Sequence, residues 1–141
     1  MLNLLLAGTL ILFLAGCNRS SLEADVSGTV TLDDQPIGPG VVVFARAGGG
    51  SPAIGTIDAG GRYRLKTSRE TGLAAGTYHV SVSIRERPVD IQPGERPPPG
   101  KLLIPEKYAQ SATSGLEFEV QSGRNTIDIE LTSSGSGGPA P

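Results

Sequence analysis

Apolar and polar residues alternate along most of this chain, and the alternation has the period of a strand. Val26, Gly28, Val30 and Leu32 interleave with Ser27, Thr29 and Thr31, which predicts a half-buried strand. Asp33-Asp34-Gln35-Pro36 ends it with turn chemistry. Val41 to Ala45 is a continuous apolar run, short enough for a fully buried strand. After the loop Ala47 to Pro52, residues Ala53 to Asp58 lead into a tight turn at Ala59-Gly60-Gly61. Tyr63 and Leu65 then oppose Arg62, Arg64 and Lys66. Tyr78, Val80, Val82 and Ile84 alternate with His79, Ser81 and Ser83. Leu116, Phe118 and Val120 turn inward against Glu117 and Glu119. Gln121 to Arg124 reverses the chain, and Asn125, Ile127, Ile129 and Leu131 are expected to complete a hairpin, with Asp128 and Glu130 outward. The sum is seven short strands and no helical period. The expected fold is all-β: a seven-stranded antiparallel β-sandwich.

The first residues break this pattern. No charged side chain precedes Arg19, and Leu4, Leu5, Leu6, Leu10, Ile11, Leu12, Phe13 and Leu14 make an apolar block, about 13 residues long against the roughly 20 that a spanning helix needs. The block reads as the core of an N-terminal signal-peptide helix or as a short anchor. It ends in Leu14-Ala15-Gly16-Cys17, which resembles the lipobox of bacterial lipoproteins. That resemblance implies cleavage between Gly16 and Cys17 and a lipid on the Cys17 thiol. Two or more acyl chains anchor stably where one is marginal. Lipidation would also account for an otherwise unpaired cysteine, the only one in the chain. Asn18 in place of aspartate leans toward the outer membrane rather than the inner. The resulting division is 1–16 leader, 17–24 lipidated tether, 25–132 folded domain and 133–141 tail. The tail (SSGSGGPAP) has too little apolar surface to order itself.

Composition narrows the chemistry. The net charge of -2 offers no basic footprint, so nucleic acid is not an expected partner. With one His and one Cys, no zinc or iron–sulfur centre is expected, and no cofactor. His79, the lone histidine, sits on an outward face with Ser81 and Ser83 but has no acid nearby in sequence, so general-base work lacks its second member. Asp33-Asp34 is the only adjacent carboxylate pair and reads as a solvated turn. The acidic positions Glu117, Glu119, Asp128 and Glu130 are expected either beside the basic strand of Arg62, Arg64 and Lys66 or on an exposed face. Arg85 to Pro105 is rich in proline and charge. Loops of that length are usually functional or disordered. Arg85, Arg87, Arg96 and Lys101 are its candidate binding residues, and a solvated insertion is the alternative.

The order of the motifs resembles a known family. Gly28-Thr29-Val30-Thr31-Leu32-Asp33-Asp34-Gln35-Pro36-Ile37, Thr56 to Tyr63 and Leu73 to Val80 are similar to the motifs G-x-V-x-x-x-G-x-P, T-D-x-x-G-x-[FY] and L-x-x-G-x-Y-x-V of carboxypeptidase regulatory-like domains. Val41 to Phe44 corresponds to the second strand. The ending, from Ile104 to Tyr108 and Asn125 to Leu131, is similar to small lipoproteins of planctomycete-type bacteria. Asp34 departs from the family's glycine. The resemblance implies a transthyretin-like (prealbumin-like) sandwich and an accessory, non-catalytic role. The expected protein is thus lipid-anchored, exported and not an enzyme, a binding or structural module of the cell envelope. Its expected partners are the membrane, through Cys17, and an envelope protein or polysaccharide. The alternative is an accessory carbohydrate- or peptide-binding domain.

Overall fold

The computed structural model describes residues 22–87, 92–94 and 96–134. The leader, the Gly16–Cys17 junction, most of the tether and residues 135–141 lie outside the described residues. The body is all-β. Its strands are β1 (Ala24–Leu32), β2 (Gln35–Pro36), β3 (Gly40–Arg46), β4 (Ala53–Ile57), β5 (Arg62–Thr67), β6 (Glu70–Thr71), β7 (Gly76–Ile84), β8 (Leu116–Val120), β9 (Gly123–Thr126) and β10 (Ile129–Leu131), with one 3₁₀ turn at Glu106–Ala109. Each alternating segment of the sequence is a strand. The two-residue strands β2 and β6 are too short to register as periodicity, and the last segment is divided into β9 and β10.

The hydrogen-bonded order is β10-β1-β5-β4-β3-β7-β8, with β9 also on β1. β5, β4, β3, β7 and β8 form an antiparallel five-stranded run. β1 joins it through Ser27–Thr29, which face Arg62–Arg64 of β5. Only Gln121 and Ser122 separate β8 from β9 in sequence, yet these strands lie at opposite ends of the order. The sheet therefore curls until its ends approach.

Two expectations are corrected here. The Glu117 and Asp128 segments do not form a hairpin. β8 pairs with β7, from Gly76↔Val120 to Val80↔Leu116, while β9 and β10 run parallel to β1. Gly123 does turn the chain at φ 94°, but the turn carries it across to the free edge of β1. Alternation fixes which face a side chain takes and leaves the partner strand open. Second, β3 is not fully buried. Val42 and Phe44 are inside, but Val41 is 40% exposed and Val43 is half-buried. The strand is a half-buried one whose outer positions happen to be apolar.

The core forms around Phe44. The rings of Tyr78, Tyr63 and Phe118 lie 6.1, 6.2 and 6.3 Å from it, centroid to centroid, within the range where aromatic pairs attract. Val26, Val30, Ile129 and Leu131 from the β1 side meet Val42, Leu65, Val82 and Ile84 in the same cluster. Polar groups inside are satisfied by backbone. Tyr63 Oη donates to Ile127 O at 2.6 Å, Tyr78 Oη to Ala74 O at 2.7 Å, and Ser114 Oγ to Val80 O at 2.5 Å. Burial, reinforced by the nearby Asp128 carboxylate, pushes the Tyr63 phenol well above its usual range. Burial raises Tyr78 as well, opposed by Arg46.

Turn chemistry follows the residues. Asp58 Oδ1 accepts from Gly60 N and Arg62 N, both at 2.9 Å, the local bonding that makes Asp a turn residue. Of the Gly60-Gly61 pair only Gly61 takes a positive φ, 80°. Asp33 and Asp34 both adopt left-handed φ, 49° and 66°, as the two central positions of a tight type I′ hairpin require.

Candidate functional site

The described residues place two features at opposite ends of the body. At one end β1 begins at Ala24, which exchanges hydrogen bonds with Leu73 (Ala24 N to Leu73 O, 3.0 Å; Leu73 N to Ala24 O, 2.9 Å). Leu22, the first described residue, lies there with the 49–51 loop, Thr67 and Ala74 around a cleft of about 250 Å³. Cys17 and Gly16 lie outside the described residues. Four residues lie between Cys17 and Leu22, five Cα–Cα steps with a reach of about 17 Å.

β7 starts at this end, at Gly76, and runs nine residues to Ile84 at the other end, a span of about 30 Å. There the proline-rich segment leaves the sheet. Its roots extend the β-structure. Leu103 N donates to Ile84 O and Glu86 N to Lys101 O, each at 2.9 Å, and Arg85 bridges to Leu102. Arg85 Nη1 donates to Gly100 O at 3.0 Å. Gly100 has to be glycine, because a Cβ there would sit 1.9 Å from Glu86 O. The long loop of the sequence is thus shorter than its composition implies, because Leu102 to Ile104 return to the body and Ile104 is buried. Of the four basic candidates, Arg85 and Lys101 meet at this root, and Arg87 and Arg96 are exposed beyond it.

His79 has the acidic neighbour that sequence distance concealed. It faces Glu117 directly across the β7–β8 ladder, with Nδ1 to Oε2 at 3.5 Å; the two side chains are 45% and 60% exposed. Such a solvated pair contributes little to stability. Beside it, Ala45, Arg46, Ala47, Ser111 and Ala112 complete a cleft of about 350 Å³. The Arg46 guanidinium is held by Ala75 O at 3.1 Å. No signal in the sequence joins Ser111 or Arg46 to His79; only the β3–β7 register (Ala45↔His79) and the loop after the 3₁₀ turn do so.

The basic strand β5 reaches a different carboxylate from those considered. Arg64 holds Asp25 of β1 in a two-point contact, Nε to Oδ1 at 2.9 Å and Nη2 to Oδ2 at 2.6 Å. The bond and charge of Arg64, helped by Arg124, set the Asp25 carboxyl below its usual range. Glu117, Glu119, Asp128 and Glu130 are exposed. Asp128 Oδ1 accepts from Thr29 N at 2.9 Å and caps the break between β9 and β10.

Among the described residues no cluster of three or more His, Cys, Asp or Glu could hold a metal ion, and no helix is long and apolar enough to cross a membrane. Compared with protein-family models, curated proteins and solved structures, the chain matches none.

Proposed function

We propose that this is a lipid-anchored envelope protein. Its body is a transthyretin-like β-sandwich of carboxypeptidase regulatory-like type, acting as a non-catalytic binding or structural module. One observation supports the reading: the Leu22 end of the body and the roots of the proline-rich arm sit at opposite ends of β7. A lipid on Cys17 would hold the Leu22 end within about 17 Å of a bilayer. The roots of the arm, Arg85 and Lys101, would then stand at the far end of β7, up to about 30 Å further out, where a partner in the envelope can be met.

The curled sheet supports the two-layer reading, since β1 with β10 packs its apolar face against the β4-β3-β7 side through one core. The non-catalytic reading is supported by the use made of the buried hydroxyls. Those of Tyr63, Tyr78 and Ser114 are each bonded to a backbone carbonyl. Among the described residues the rings that stacking on a sugar would need are packed inward, with Phe44, Tyr63, Tyr78 and Tyr108 buried and Phe118 packed against the core. This favours a protein partner over a polysaccharide.

The test is a Cys17→Ser variant, fractionated and labelled with palmitate in a bacterial host. The reading expects loss of label and release from the membrane pellet. Retention in the pellet at the wild-type level would refute it.

A further inference from the structure

The centre of the outer face of the five-stranded run carries three apolar side chains, Val41, Val43 and Ile54, beside the polar Thr56 that pairs with Val41. Ile54 of β4 is 49% exposed and Val41 of β3 is 40% exposed. Val43, half-buried, lies directly opposite Ile54 in the ladder. Serines flank them on the other side: Ser81 opposite Val43 and Ser83 opposite Val41. The centre is therefore flat and built of small or branched side chains.

Charge on this face is divided by strand. The β5 edge carries Lys66, paired with Ile54. The β8 edge carries Glu117 and Glu119, both exposed, with His79 beside Glu117. β3 is the middle strand of the five, so the face reads basic, apolar, acidic from one edge to the other. Such a surface is complementary to itself. A two-fold axis lying in the contact plane and directed along β3 sets apolar β3 against its own copy. It also lays β5 of each chain over β8 of the other. Lys66 shares the row of Ile54, Val43 and Ser81, and Glu117 stands two residues further along, opposite His79, so the Lys66 side chain is brought toward Glu117, with Glu119 beyond it.

We propose that this face is the contact surface for a second copy of the chain, packed sheet on sheet. The two sheets would lie about 10 Å apart and within about 30° of parallel, as aligned sheets do. Five strands at about 4.8 Å spacing and about 20 Å of length give roughly 500 Å² per copy. The total of about 1,000 Å² is at the lower limit for a specific interface. The dimer is accordingly weak in dilute solution and favoured where the chains are concentrated, as on a membrane. The contact itself does not depend on the anchor.

The experiment uses the full chain in its host, with Cys17 its only native cysteine. Val43→Cys places a thiol at the proposed axis, and Glu130→Cys places one on exposed β10 in the other layer. A bis-maleimide spanning about 10 Å is applied to whole cells, with the unsubstituted chain reporting any reaction at Cys17. The proposal expects several-fold more dimer for Val43→Cys than for Glu130→Cys. Adding Lys66→Glu to Val43→Cys should lower that yield, and adding Glu117→Lys and Glu119→Lys to those two should restore it. Equal yields at the two positions would overturn the proposal. So would a Val43→Cys yield indifferent to Lys66→Glu. If Cys17→Ser lowers the yield in cells while concentrated purified chain still cross-links, the face stands and the anchor contributes only concentration.

Discussion

Gly28 is where β1 passes from one set of partners to the next, and replacing it with alanine tests that junction. A Cβ at Gly28 would lie 1.9 Å from Ile127 O and 2.6 Å from Ile127 C, both backbone atoms. The β9–β10 link must retreat by more than about 1 Å to restore ordinary contact. Three hydrogen bonds converge on that link: Tyr63 Oη to Ile127 O at 2.6 Å, Ile127 N to Ser27 O at 2.9 Å and Asp128 Oδ1 from Thr29 N at 2.9 Å. Each contributes about 1 kcal/mol net, and leaving a buried group unpaired costs about 1–3 kcal/mol. Gly28→Ala should therefore cost about 3–5 kcal/mol, a large share of a typical stability of about 5–15 kcal/mol. Tyr63→Phe removes only the hydroxyl and should cost about 1–2 kcal/mol. Urea titration followed by far-ultraviolet circular dichroism measures both, since the chain lacks tryptophan. The double variant should lose less than the sum, because each change breaks the same Ile127 contact. A Gly28→Ala protein within about 0.5 kcal/mol of wild type, or strict additivity, would show that the Ile127 link yields without loss of these bonds.

Three further outcomes follow from single contacts. Asp34→Gly should raise stability by about 0.5–1 kcal/mol, because φ 66° suits glycine better than a side chain; thermal unfolding reads it, and a decrease would show that the Asp34 side chain holds the turn. Ser114→Ala should cost about 1–3 kcal/mol in the same assay, because Ser114 Oγ both donates to Val80 O and accepts from Leu116 N at 3.1 Å. Asp25 has its folded pKa lowered by Arg64. Its stabilisation is therefore present above the unfolded value, near 3.8, and disappears as pH falls from there through the folded value. Screened by solvent, the pair contributes little, so Asp25→Asn should flatten the acid limb of a stability–pH curve only slightly, and only below about pH 4.

The alternation of side chains made the strands legible because facing is a local property. The tight turn after Asp58 was legible for the same reason, since Asp58 bonds to backbone within four residues of itself. Pairing is not local. The parallel union of β1 with β9 and β10 joins residues about a hundred positions apart, and nothing in either segment names the other. His79 and Glu117 meet for the same non-local reason. The apolar run Val41 to Ala45 misled in the opposite sense. A row of apolar residues reads as burial on both sides, whereas here its outer members face outward between a basic and an acidic strand. In the proline-rich arm, Leu102 to Ile104 carried the signal that the chain rejoins the body, but proline and charge dominated the composition around them.

If the body hangs from a lipid on Cys17, the N-terminus of the membrane-bound protein records it. Mass spectrometry of the N-terminal peptide from membrane-purified protein should find a chain that begins at Cys17 and carries acyl-glycerol on sulfur. An intact Met1–Gly16 leader, or a free Cys17 thiol, would contradict it.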